Sequence, residues 1–191
     1  MLLSSLNGCD VSILVNNVGF IVSGNVDRLD AASVTRCVNI NLNAVTYMSM
    51  ILLPRLLQRT HRSAVVNLTS KLGFLRMGDF GVYGGCKNYL TVLTQAMQDC
   101  YAADLDVMLV VPGSVKSLCN PGTMPNSVPT EAHSRTVLNH LGWHAQTRGS
   151  WQHAASWWIQ NDAPVSFLVG PVCRRRFINA CRAVSDAPTY K

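Results

Sequence analysis

At 191 residues the chain is long enough to bury a sizeable core, and a single domain over 1–191 is the expectation. Apolar residues make up 48% and charged residues 14%, which excludes a disordered chain; a net charge of +6 without interleaved aromatics excludes a nucleic-acid surface. Seven cysteines, odd in number and lacking a CxxC pair, exclude a disulfide framework or a zinc site and point to core-filling thiols in a reducing compartment.

Val11–Val15 is a short, continuous apolar run ending in Asn16-Asn17-Val18-Gly19, the pattern of a strand covered on both faces. Asp30 is a helix N-cap, and apolar residues recur at helical spacing from Val34 to Leu57, with Pro54-Arg55 stopping the richest stretch. Ala64–Leu68 is a second buried strand, and a glycine-containing loop over Lys71–Asp79 leads into a helix running to about Ala103. Val107–Val111 is a third buried strand, closed by Pro112-Gly113. Strand, helix, strand, helix, strand with short links predicts an α/β fold with a doubly wound parallel sheet. Residues 114–129 form a loop rich in Pro, Ser, Asn and Gly, and Thr130 caps a helix over Glu131–Leu141. A strand near Trp151–Ala155 and a last helix over Cys173–Val184 complete the predicted elements.

One constellation carries chemistry. Tyr83 and Lys87 are four apart and share a helix face, and Ser70 ends the preceding strand. A free phenol titrates near ~10, so an adjacent ammonium that lowers it makes Tyr83 a usable proton donor, with Ser70 orienting the substrate. Gly84 and Gly85 cost helix stability and fit a helix that something must approach closely.

Other features weigh less. His140 and His144 are four apart but have no acidic companion, so no metal site is assigned. Asn67-Leu68-Thr69 is a formal glycosylation sequon inside a buried strand. Trp143, Trp151, Trp157 and Trp158 are read as core, as a lining for an apolar ligand, or as an interfacial belt. Arg174-Arg175-Arg176, with Arg182 and Lys191, reads as a solvated face or as a contact for phosphate or a membrane surface. Met1–Leu6 is too short for a signal peptide, and no uncharged apolar run of about 18 residues occurs, which reads as soluble or peripheral.

From Asp10 to Ser117 the chain resembles the short-chain dehydrogenase/reductases. NNVG at 16–19 is similar to the family's NNAG motif, Asn41 sits where the family has its catalytic asparagine, and Ser70 with Tyr83-x-x-x-Lys87 matches the catalytic serine and YxxxK pair. PGSVKS at 112–117 is similar to the turn that contacts the nicotinamide. NINLNAV into LLPRLL, VNLTS and the segment VLNHLGWHAQTRGSWQHAASWWI resemble the microsomal 3-oxoacyl-CoA reductase and 17-beta-hydroxysteroid dehydrogenase branch.

The resemblance implies a Rossmann-like fold without the family's first three strands, with 1–117 as catalytic core, 118–165 as substrate-loop region and 166–191 as last helix and tail. It implies Tyr83 as proton donor, Lys87 as pKa-lowering group and ribose holder, Ser70 as substrate-orienting hydroxyl and Asn41 as anchor of a proton-relay water. Asn16, Asn17, Gly19, Tyr83, Lys87, Val115 and Ser117 would contact the cofactor, NADP(H), with NAD left open. Partners implied are a small lipid substrate (an acyl-CoA or a steroid), a homodimer and a membrane surface, at the endoplasmic reticulum. The family's TGxxxGxG turn, which receives the cofactor pyrophosphate, does not occur in the sequence. The chain therefore reads as an incomplete copy whose Val11–Val15 strand would be a bare apolar edge, and a non-catalytic binding or dimerising module is the alternative.

Overall fold

The computed structural model describes residues 6, 8–75, 77–117, 120, 124 and 126–162. Strands and helices follow in the order β1 (Ile13–Asn16), α1 (Ala31–Val38), α2 (Ala44–Leu57), β2 (Ser63–Leu68), α3 (Gly81–Tyr101) and β3 (Leu105–Val110). They continue with β4 (Val115–Lys116), β5 (Val128–Pro129), α4 (Thr130–His140), β6 (Gln146–Thr147) and α5 (Trp151–Trp157). The chain divides into two compact units, one running to Val111 and taking in His140–Thr147, the other comprising Pro112–Asn139 and the residues from Arg148 on.

The first unit is built on a parallel sheet of order β1-β2-β3-β6, a partial Rossmann-like arrangement. Its register puts Leu14, Val65 and Val107 in one row across three strands. Leu52 and Leu56 of α2 and Met97 of α3 close over that row with Leu105 to make the core. Two positions further along, Asn16 pairs in register with Asn67, and the Asn16 amide donates to Asn67 Oδ1 at 2.8 Å. Asn67 in turn donates to Thr94 Oγ1 on α3 at 2.9 Å, so this fully buried side chain is satisfied from both sides. The sequon at Asn67 is therefore closed to solvent.

Asp30 caps α1 as expected, accepting from Ser33 N at 2.8 Å. Helical backbone is continuous from Ala31 to Leu57, but Asn39–Asn43 is a π-helical segment between α1 and α2. As the periodicity to Leu57 predicts, α2 runs through Pro54 and closes at Gln58, whose N–H donates to Pro54 O. This 27-residue run is long and apolar enough to cross a membrane by length and composition, with a mean hydropathy of 1.2; Val45, Leu52 and Leu56 pack inward, while Tyr47 and Met50 face out.

Two expectations about β1 meet different outcomes. It lies at the end of the sheet order, as an edge. It is not covered on both faces, because Ile13 and Val15 are 47% and 53% exposed while Leu14 and Asn16 are buried. Of the described cysteines, Cys37 and Cys86 fill the core, whereas Cys9 and Cys100 are exposed.

In the second unit β4 pairs with β5, Val115 opposite Val128 and Lys116 opposite Pro129. Thr130 is the first residue of α4 and not its flanking cap; its hydroxyl donates to the Lys116 carbonyl. The predicted strand near Trp151–Ala155 is the helix α5, capped by Ser150, whose hydroxyl accepts from His153 N at 3.3 Å. Trp143, Trp151 and Trp158 are exposed and do not pack into a core. His140 and His144 stack edge to face with ring centroids 4.7 Å apart, His140 Nδ1 lies 2.6 Å from Thr147 Oγ1, and no three-ligand metal cluster occurs among the described residues. The helix expected over Cys173–Val184 and the arginine run at 174–176 lie outside the described residues.

Candidate active site

Lys87 is placed by α3, one turn beyond Tyr83, and both side chains are buried. Its ammonium donates to the Leu68 carbonyl at the end of β2 at 3.0 Å and lies 5.9 Å from the centroid of the Tyr83 ring. Burial removes water from the cation, and although the neighbouring thiols of Cys37 and Cys86 oppose the shift, the Lys87 pKa falls from 10.5 to about 8. A second tie fixes the helix against the strand end: Thr69 Oγ1 donates to the Lys87 carbonyl at 2.5 Å.

The close fit of α3 against the chain after β2 is written in two glycines. A Cβ on Gly84 would come within 2.9 Å of the Leu72 carbonyl, and one on Gly73 within 3.0 Å of Asn88 N. Gly84 is thus the small residue that backbone approach requires, whereas Gly85 faces open space. Ser70 heads that crossing segment, where its hydroxyl accepts from Leu72 N at 3.2 Å and starts a single 3-10 turn.

Asn41 sits in the π-helical segment and is fully buried. The wider turn rotates its amide onto the chain that follows β1. Asn41 Nδ2 donates to the Phe20 carbonyl at 2.6 Å and to Cys37 O at 2.9 Å, and Oδ1 accepts from Phe20 N at 3.4 Å. Gly19 lies against the same group, since a Cβ there would be 3.2 Å from Asn41 Oδ1 and 3.5 Å from Lys87 Nζ. Asn41, Lys87 and Gly19 are therefore brought together at the carboxyl ends of β1 and β2, the end of a parallel sheet where ligands bind.

The other predicted site residues divide. Asn17 and Gly19 are exposed on the loop after β1, whereas Asn16 is buried and its amide is committed to Asn67 and, at 3.4 Å, to Ser49. Val115 and Ser117 belong to the second unit, Val115 on β4 and Ser117 bridged to Asn120. Cys37, which supplies an acceptor to Asn41 and whose thiol approaches the Phe20 carbonyl at 3.5 Å, carries no motif that would single it out in the sequence. Nor does the Leu68 carbonyl that receives Lys87, because backbone acceptors leave no mark in residue identity.

This arrangement sets a buried cation 5.9 Å from the Tyr83 ring, which suits a phenol that exchanges a proton. Gly19 lacks the Cβ that would crowd the Asn41 amide and the Lys87 ammonium, so these two side chains can close on the loop after β1.

Comparison with known proteins identifies the family and the fold. The chain is 26% identical over 174 residues to the very-long-chain 3-oxoacyl-CoA reductase of Anas platyrhynchos, covering 87% of this chain and 55% of that protein. It is 29% identical over 167 residues to a protein provisionally named steroid dehydrogenase 4 from Caenorhabditis elegans, covering 80% of this chain and 60% of that one. The chain thus spans little more than half the length of these relatives. A short-chain dehydrogenase from Sphingobium yanoikuyae, solved in complex with NADPH, shares the fold with a TM-score of 0.66 at 18% identity, over 99% of this chain and 70% of that one. The family model described as short chain dehydrogenase matches residues 7–125, more than half of the sequence. The chain belongs to the short-chain dehydrogenase family.

Proposed function

We propose that the protein is an NADP(H)-dependent oxidoreductase that interconverts a ketone or 3-oxoacyl-CoA and its alcohol, with Tyr83 as the proton donor. The observation that carries the reading is the buried Lys87 ammonium, held one helical turn from Tyr83 and against Asn41 and Gly19. Relatives named as a very-long-chain 3-oxoacyl-CoA reductase and a steroid dehydrogenase support the two substrate classes. The roles in fatty-acid elongation or steroid metabolism at the endoplasmic reticulum rest on the family resemblance. NADPH in a structural neighbour supports the choice of cofactor.

The cofactor supplies a hydride to the carbonyl carbon. The residues of this chain handle the charge that builds on oxygen. Ser70 hydrogen-bonds the substrate carbonyl and fixes its direction, and the Tyr83 hydroxyl delivers a proton to that oxygen. Lys87 stabilises the phenolate left behind and holds ribose hydroxyls, and Asn41 anchors the water through which the proton is restored. By the family resemblance Asn16, Asn17, Gly19, Val115 and Ser117 would contact the cofactor.

The test has two arms. Calorimetry of the 191-residue chain with NADPH asks whether it holds the cofactor, and micromolar binding is the expected result. Reduction of a 3-oxoacyl-CoA, followed by NADPH absorbance, is expected to be lost in Tyr83→Phe. Turnover unchanged by that substitution removes Tyr83 from the chemistry. No NADPH binding at millimolar concentration favours the alternative of a non-catalytic binding or dimerising module.

A further inference from the structure

Two buried histidines in the second unit have no part in the chemistry above. His133 on α4 and His153 on α5 are 5% and 3% exposed, with ring centroids 5.6 Å apart. His153 reaches the turn that precedes β4 at two points: Gly113 N–H donates to Nδ1 at 3.2 Å, and Nε2 lies 3.0 Å from the Ser114 carbonyl. Only the neutral Nε2–H tautomer satisfies both, accepting at Nδ1 and donating at Nε2. The fit is tight, because a Cβ on Gly113 would meet His153 Cδ2 at 2.7 Å. His133 backs this ring, and neither of its nitrogens has a hydrogen-bond partner. Gly149 packs so closely on His133 that a side chain there would overlap the imidazole.

The geometry points to His153, buttressed by His133, as the positioning residue of the 112–117 turn, a neutral imidazole that clamps Gly113 and Ser114 and so fixes the backbone carrying Val115 and Ser117. The assignment of those two residues to the nicotinamide rests on the function proposed above; the clamp itself does not.

A competing acceptor lies beside the same nitrogen. The Arg148 carbonyl lies 3.3 Å from His153 Nδ1, the nitrogen that accepts from Gly113. Protonation turns Nδ1 into a donor, which breaks the Gly113 bond and favours Arg148 O. The charged groups around the pair do little to stabilise an imidazolium. The Arg148 guanidinium is of the same sign and lies on the Trp157 ring at 4.6 Å, and on α4 Glu131 and Arg135 pair with each other in solvent. His133 disfavours a second charge, and burial together with His153 lowers its own pKa to about 4.

Three measurements on the whole chain test the clamp. Long-range proton–nitrogen NMR at neutral pH is expected to show His153 as the neutral Nε2–H tautomer; the Nδ1–H tautomer overturns the proposal without any substitution. Amide exchange at Gly113 is expected to rise about three- to tenfold in His153→Ala, the effect of losing one hydrogen bond. Exchange in β2 should stay constant, and His153→Asn should restore part of the protection because its Oδ1 can accept from Gly113 N–H. Gly113 exchange equal in wild type and His153→Ala also overturns the proposal. NADPH affinity of the same variants reads the link to function: weaker binding in His153→Ala, partly recovered in His153→Asn, is expected. If the wild type does not bind NADPH, the cofactor reading fails while the tautomer and the Gly113 exchange still decide the clamp.

Discussion

At the scale of single residues the site is governed by one costly choice, a lysine buried in the core. Lys87 is 3% exposed, and its pKa in the folded chain is about 8 against 10.5 in solution. A lowered pKa in a base means that the unfolded chain binds the extra proton between these two values, so this group destabilises the fold below pH 8 and ceases to do so above pH 10.5. The difference of about 2.5 pKa units corresponds to roughly 3 kcal/mol, from which the hydrogen bond to Leu68 O recovers about 1 kcal/mol. Lys87→Met is therefore expected to raise unfolding stability by about 2 kcal/mol at neutral pH while abolishing the proposed reductase turnover. Chemical denaturation from neutral pH to pH 10.5 checks the sign: the gap between variant and wild type should be widest at or below pH 8 and shrink toward pH 10.5. A variant less stable than wild type at neutral pH would show that Lys87 is net stabilising, its contacts outweighing the loss of hydration.

At the scale of elements, α3 owes its position to a glycine that its own helical propensity disfavours. Gly84→Ala forces a Cβ to within 2.9 Å of the Leu72 backbone carbonyl, which cannot rotate away, and is expected to cost about 1–3 kcal/mol. Gly85→Ala meets no atom within 4 Å and is expected to stabilise α3 by about 0.5–1 kcal/mol. Thermal unfolding of the two variants should therefore move in opposite directions, and a common sign would contradict the close approach at Gly84. The sequence reveals the pair of glycines but not which of them is crowded, since that depends on where the 3-10 turn over Lys71–Gly73 crosses the helix. The same boundary separates legible from illegible elsewhere. β2, β3 and α3 are readable because long apolar runs and helical periods are set by burial over many residues. α5 reads as a strand because tryptophan favours strands, yet the Ser150 cap and the continuing helical backbone decide otherwise. Strands of two residues, such as β4, β5 and β6, have no period to detect. For the site, spacing singles out Ser70, Tyr83 and Lys87 as candidates and Asn41 enters only through the family resemblance, while the π-helical segment that turns Asn41 onto Phe20 and the histidine clamp are products of tertiary contact.

At the scale of the whole molecule, the sheet ends where its chemistry is most sticky. β1 has no described strand on its outer side, and its uncovered face presents Ile13 and Val15, each about half exposed. Val18 and Ile21 extend the apolar surface beyond the strand, at 71% and 52% exposed. An open row of backbone donors and acceptors beside such side chains is a template for another strand, and nothing in β1 itself (no lysine, proline or bulge) blunts it. The 191-residue chain is therefore expected to self-associate through this edge as concentration rises. Lysines at both exposed positions, Ile13→Lys with Val15→Lys, place charge on the open face while leaving Leu14 in the core row with Val65 and Val107. Static light scattering should then fall to the monomer value, with amide protection in β2 and β3 unchanged. Because the two substitutions leave Tyr83, Lys87 and Asn41 untouched, NADPH affinity should be retained if the edge is only an adhesive surface. Scattering that persists in the double variant would move the sticky surface elsewhere, to the exposed Tyr47 and Met50 of α2 or to Val92 of α3.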